Sequence, residues 1–211
     1  MACPRAIVGL TAASCHVPVA TISISTRTVK SLQDQLLVAS PHLRERNFVK
    51  TVVLLLHHSP RQAVGLVLNR PRNVTVKELW KIISKEPCDC TQQVGSGGPL
   101  PGPLVALHTN QSLADIDLSH GVYLSARREK LQQLVLQKEG PLKILVGHTG
   151  WTAGQLDREI QSGAWLTIPA TAELVFHDPI SLWEELIKHI GESMLTSALH
   201  VRHFPDDPSV N

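Results

Sequence analysis

Long apolar runs are missing from this sequence. Uncharged aliphatic stretches such as Val52 to Leu56 fall far short of the ~20 residues needed to cross a bilayer, so no membrane-spanning helix is expected. Charge is sparse as well: Asp, Glu, Lys and Arg make up 18% of the 211 residues, below the roughly 25% of an average domain. Against this, 43% of the chain is hydrophobic, enough to bury a core without disulfides or a structural metal, which removes the disordered and collagen-like classes. The four cysteines spell no disulfide framework. Cys3 and Cys15 lie near the start, and Cys88-Asp89-Cys90 lacks the two-residue gap of common zinc knuckles.

Enzyme motifs fail one by one. No glycine is followed by Lys and then Ser or Thr, which excludes a Walker phosphate loop. A nucleophile elbow needs glycine two before and two after its serine, and around Ser96 those positions hold Val94 and Gly98. The stretch Gly95 to Leu100 misses the last glycine of the dinucleotide fingerprint. Eleven histidines are present, yet His57 and His58 sit at a strand end with their rings on opposite faces and cannot easily share one site. No catalytic residue, metal or cofactor is expected.

The net charge of +2 belongs to the first thirty residues, where Arg5, Arg27 and Lys30 meet no acid. The remainder has 17 basic and 18 acidic residues, a net of −1. That leader has no sustained hydrophobic period and is expected to be unstructured and dispensable for folding; a targeting segment and an over-extended start both fit it. The rest is lopsided: Arg44 to Lys85 holds nine basic residues and two acids (+7), whereas Glu86 to Asn211 holds eight basic and fifteen acidic (−7). Two halves that attract each other, or a basic surface for an anionic partner, both fit. No helix-turn-helix signature is visible, so specific nucleic-acid recognition is not expected. A cytoplasmic location with reduced thiols is the default.

Hydrophobic periods then define the elements. Leu36 to Ala39 is a short apolar run. Val49 to His57 and Ala63 to Leu68 flank Ser59-Pro60-Arg61-Gln62 and predict a hairpin. Thr75 with Glu78 is a capping box opening a helix over Val76 to Ser84. Glycine and proline from Gly95 to Pro103 predict a long loop, not a domain linker. Strands are expected over Leu104 to His108, Val122 to Ser125, Leu142 to Gly147 and Trp165 to Ile168. Helices are expected over Arg127 to Lys138, within Gly150 to Gly163, and from Asp178-Pro179 to Gly191, leaving residues from Ser193 as a loosely held tail. The mixture indicates α+β with a mixed sheet over residues 31–191.

Several motifs occur together in order. They are Pro41-x-Leu43 with Phe48-x-x-Thr51-Val52-Val53, His58 with Gly65 to Pro71, Gly97-Gly98-Pro99, Leu107-His108, Gly147-x-x-Gly150-Trp151-x-Ala153-Gly154-Gln155-Leu156, and Ala164-Trp165-Leu166 with Pro169-Ala170. From about Leu32 to Gly191 the chain resembles the AlgH/YqgE family of bacterial proteins. The resemblance implies a single α+β domain with a coiled, branching β-sheet and several short helices. It also implies the label of transcriptional regulator, without an established activity or cofactor. Departures are Ser59-Pro60-Arg61-Gln62 in place of an acidic, glycine-containing turn after the histidine, Arg46-Asn47 in place of Pro-Arg, and His148 in place of an aromatic or small residue. The leader and Pro87 to Gln93 look like additions.

Two segments spend glycines where side chains would crowd something, and they supply the candidate ligand residues Gly97, Gly98, Gly150, Trp151, Thr152, Gly154 and Gln155. One reading is packing, with Trp151 as a core plug, Gly147 and Gly150 reversing the chain, and Gly154 tolerating alanine as a helix residue. The other is a small site where amides at a helix start meet an anion. Three functions stay open: a non-catalytic regulatory or interaction protein, a small anionic-ligand binder at the Gly147 to Gln155 turn, and a nucleic-acid binder using the basic 44–85 face.

Overall fold

The computed structural model describes residues 31–84, 86–137 and 140–199; the leader and the end of the tail lie outside them. The expected hairpin forms from β2 (Val52–Ser59) and β3 (Gln62–Val67), paired antiparallel from Val53 opposite Val67 to Ser59 opposite Gln62. Strand β1 (Gln35–Ala39) lies beside β2, and β10 (Trp165–Pro169) beside β1. Leu36, Leu37, Val38 and Ala39 are all fully buried, so this part of the sheet is covered on both faces, as its continuous apolar run implies.

The second half of the sheet departs from expectation. The Gly95 to Pro103 region is largely strand: β4 (Pro71–Thr75) pairs with β5 (Gln93–Ser96), and β6 runs from Leu100 to His108. Strand β5 is parallel to β9 (Leu142–Trp151), with Gly95 opposite Leu145, whereas β6 is antiparallel to β9. Prolines are tolerated because the ladder shifts register between Leu100 and Leu104, and because β8 (Tyr123–Ser125) meets β6 only from Ala106 to His108. Pro101 and Pro103 therefore stand at a bulge beside an open edge, where a missing N–H costs no ladder bond. The two-residue β7 (Ile116–Asp117) completes this side against β8.

Strand β9 is where the sheet branches. It does not end at Gly147 as its composition suggested; it continues to Trp151, and its last residues pair with β3, Trp151 opposite Ala63. Gly147, at φ +83°, lets one edge of the strand pass from β5 to β3 while β6 still pairs with it at His148, a left-handed conformation that side chains rarely adopt. The ten strands of the described residues form one mixed, curled sheet.

Helices cover the two sides. α1 (Val76–Ile83) begins at the Thr75–Glu78 capping box, and with α2 (Arg128–Gln137) it packs a smaller core of Val76, Trp80, Leu131, Leu134, Val135 and Ile144. The larger core receives α3 (Gln155–Gln161), α4 (Ala172–Phe176) and α5 (Leu182–Leu199). α4, not anticipated, is capped by the Thr171 hydroxyl. α5 differs at both ends. Asp178 accepts from Ser181 in a turn ahead of it, and the helix passes through Gly191 to Leu199. A helical glycine costs about 1 kcal/mol and does not by itself stop a helix.

Candidate functional site

The turn after β9 is filled by its own side chains. Trp151 is buried, stacks on Phe48 at 6.2 Å between centroids and meets Trp165 edge-on at 6.0 Å. Its indole N–H donates to Glu159 Oε2 at 2.9 Å, and the Trp165 indole donates to the same oxygen at 2.8 Å. Gln155 Nε2 donates to Glu159 Oε1 at 2.8 Å, while Gln155 Oε1 accepts from the Thr152 amide and hydroxyl, both at 3.0 Å. Gly154 is the residue before α3, at φ +62°, rather than a position inside the helix. Alanine there is strained, contrary to expectation. Sequence reasoning missed Glu159; its spacing of four from Gln155 on a helix was the signal available.

Gly97 and Gly98 lie elsewhere, in the β5–β6 connection against Gly147 and His148 of β9. A Cβ on Gly97 would sit 2.3 Å from the Gly147 carbonyl oxygen, and one on Gly98 2.2 Å from that of His148, so two backbones cross here with no room for a side chain. The Gly97 amide donates to Val146 and its carbonyl accepts from Val67, tying β9, β3 and the β5–β6 connection together. The seven candidate residues thus fall at two places, a backbone crossing against Gly147 and His148 and an aromatic plug where β9 ends.

Two polar clusters that look like catalytic pairs are closed. Ser125 donates its one hydroxyl hydrogen to the Leu113 carbonyl. His108 Nε2, 2.9 Å from Ser125 Oγ, therefore carries the proton of that pair and is no base toward the serine. Both are buried, and burial pushes the imidazole pKa below its ordinary value. His58 is buried while His57 is exposed; His58 Nδ1 accepts from the Leu32 amide and Nε2 faces Asp157 at 3.2 Å. Both ring nitrogens are spent on holding the fold.

Residues 36–195 match the family described as AlgH-like. The chain belongs to that family. A UPF0301 protein of Stenotrophomonas maltophilia is 35% identical over 78% of this chain and 92% of its own length. One of Alcanivorax borkumensis is 34% identical over 82% of this chain and 96% of its own. The solution structure of AlgH from Pseudomonas aeruginosa aligns with a TM-score of 0.63 at 26% identity, covering 84% of this chain and 98% of that one.

The AlgH-like fold brings together a cleft of about 250 Å³ beside the glycine crossing. Its walls include Arg46 and Asn47 from the β1–β2 connection, Arg70 from the β3–β4 connection, Ser96 at the end of β5, and Gly98 from the β5–β6 connection. Phe48 anchors the first wall by docking against Trp151 and Trp165. Arg70 is held by main-chain carbonyls: Nη2 donates to Val49 and, at 2.9 Å, to Thr51 Oγ1, and Nη1 reaches Lys50 and Asn69 at 3.5 Å. Asn69 clamps the same turn, accepting from the Val52 amide at 2.9 Å and donating to Lys50 at 2.8 Å. Two other cations of the 44–85 segment pair with the acidic half, Lys50 with Glu184 at 3.0 Å and Lys77 with Asp89 at 3.2 Å. No helix among the described residues is long and apolar enough to cross a membrane.

Proposed function

We propose that this AlgH-like protein works by recognition, as a cytoplasmic regulatory or interaction protein that docks a partner protein on α1. The observation that carries this reading is the apolar surface at the end of that helix. Ile82 is 82% exposed and Ile83 40% exposed, and Ile83 borders a groove lined by Trp80, Pro103, Leu104 and Leu131. Large aliphatic side chains held in water beside an apolar groove cost solvation that a partner relieves. Lys81 is exposed on the same helix and Arg128 lines the groove, so the complementary partner segment carries an apolar side chain flanked by carboxylates.

An anionic ligand at the Gly147 to Gln155 turn draws less support, because Trp151, Thr152 and Gln155 already bond to one another and to Glu159. Nucleic-acid recognition through the 44–85 segment draws least, because Lys50 and Lys77 are engaged by acids.

The test is a photo-crosslinking residue placed at position 82 and, as a control, at exposed position 188, in the native host. A protein labelled from position 82 alone, whose purified form binds about tenfold more weakly to Ile82→Asp, supports the reading. Equal labelling from both positions, or unchanged affinity of Ile82→Asp, refutes it.

A further inference from the structure

We propose that the cleft between the Arg46 turn and the Gly97-Gly98 crossing binds a phosphate group, either free phosphate or the terminal group of a small phosphomonoester. The inference is independent of the α1 surface. It starts from the kind of atoms that face the cleft. Arg46 and Asn47 offer donors, Arg70 offers its charge, Ser96 offers a hydroxyl that must turn from the Gly98 carbonyl at 3.4 Å to meet an anion, and no residue lining the cleft carries a carboxylate. Among the described residues neither Arg46 nor Arg70 enters an ion pair, although Lys50 and Lys77 nearby in sequence both do.

Arg70 is the stronger sign. Its partners are carbonyls and a hydroxyl, which fix the plane of the guanidinium without neutralising it. The charge is partly buried, and burial pushes its pKa below the ordinary value, so the site holds a cation at a cost that an anion would offset. An orienting shell of this sort is what a preorganised anion site requires.

Shape selects the anion. The groups come from three chain segments rather than one edge: the β1–β2 connection, the β3–β4 connection and the end of β5. Groups from separate segments around an open cleft suit a tetrahedral oxyanion, whereas a planar carboxylate is satisfied by a single guanidinium fork. Gly98 adds no side chain to the cleft, because its backbone lies directly on His148 of β9, and Val67 and Pro99 complete the lining. Ser96 is positioned there, its hydroxyl within 3.4 Å of both Arg72 Nη2 and the Gly98 carbonyl. The volume of about 250 Å³ lies just below the roughly 300–1,000 Å³ of sites for drug-sized ligands. It accepts a phosphate with a small ester group and excludes a dinucleotide.

The experiment is calorimetric titration of the full chain at fixed ionic strength, with inorganic phosphate in one arm and ribose 5-phosphate in the other. Saturable binding is expected, weakened about ten- to hundredfold by Arg46→Gln and by Ser96→Ala, the loss of one charged or charge-assisted hydrogen bond. Lys188→Gln, an exposed cation on α5, should leave it unchanged. Arg70→Gln also removes the bonds that hold the Val49 to Thr51 turn and can unfold the chain, so Arg46→Gln and Ser96→Ala are the deciding variants. Tighter binding of the ester identifies a phosphomonoester as the ligand and equal binding identifies free phosphate; either upholds the site. Absence of saturable binding in both arms, or equal losses in Arg46→Gln and Lys188→Gln, overturns it.

Discussion

Replacing Glu159 with alanine tests the account of the Trp151 turn more sharply than replacing the tryptophan. The carboxylate accepts from two indoles at one oxygen and from Gln155 at the other. Gln155 is half-buried and can turn its amide to water, so its loss is nearly free. The indoles cannot: Trp151 and Trp165 are 4% and 2% exposed, and each N–H would be left buried without an acceptor. At about 1–3 kcal/mol per orphaned donor, Glu159→Ala should cost about 2–6 kcal/mol. The middle of that range lowers the melting temperature by roughly 8–16 °C for a domain of this size. Glu159→Gln keeps an oxygen that can serve both indoles and loses charge assistance and the bond from Gln155, whose amide can turn to water, so it should cost about 1–2 kcal/mol. Urea unfolding followed by tryptophan fluorescence measures both, with equal m-values showing that the unfolded states are comparable. An alanine variant within about 0.5 kcal/mol of wild type would show that water reaches the indoles, and the plug would then be a solvated surface cluster.

The backbone crossing makes a second expectation: Gly98→Ala, whose Cβ must push the His148 carbonyl from 2.2 Å, should cost about 1–3 kcal/mol or more by overpacking. Gly154→Ala should cost about 1–2 kcal/mol from its left-handed backbone alone, since its nearest neighbour is the flexible end of Arg158; equal stability of both variants with wild type in thermal unfolding would contradict the two backbone assignments. Lys143 is buried, its ammonium donating to the His177 carbonyl at 2.9 Å, and burial, opposed by nearby Asp178, lowers its pKa to about 8. Between that value and the unfolded pKa of about 10.4 the unfolded chain binds the extra proton, so wild type should gain stability with rising pH relative to Lys143→Met. A stability difference that stays flat across this window in denaturant titrations would mean the lysine is solvated.

Local sequence determined those elements whose instructions lie within a few residues. The β2–β3 hairpin follows from two aliphatic runs around Ser59 to Gln62, α1 from a capping box and its apolar spacing, and the buried β1 from an unbroken apolar run. The family resemblance, carried by ordered motifs, reached the branched α+β architecture that no single period could. Tertiary structure decided the rest, because its causes lie far apart in the chain. β5 and the first half of β6 are strands although Gly and Pro argue against it: β9 supplies their hydrogen-bond partners, and a bulge removes the prolines from the ladder. β9 continues to Trp151 because Gly147 can take positive φ and β3 offers an edge beyond it. The cleft shows the same limit. Arg46, Arg70 and Ser96 have no pattern in common along the chain, and the pairing of β5 with β9 and the docking of Phe48 on Trp151 bring them together. Periodicity records which face of an element is apolar, whereas the hydrogen bonds that join strands are made by backbone, which every sequence shares.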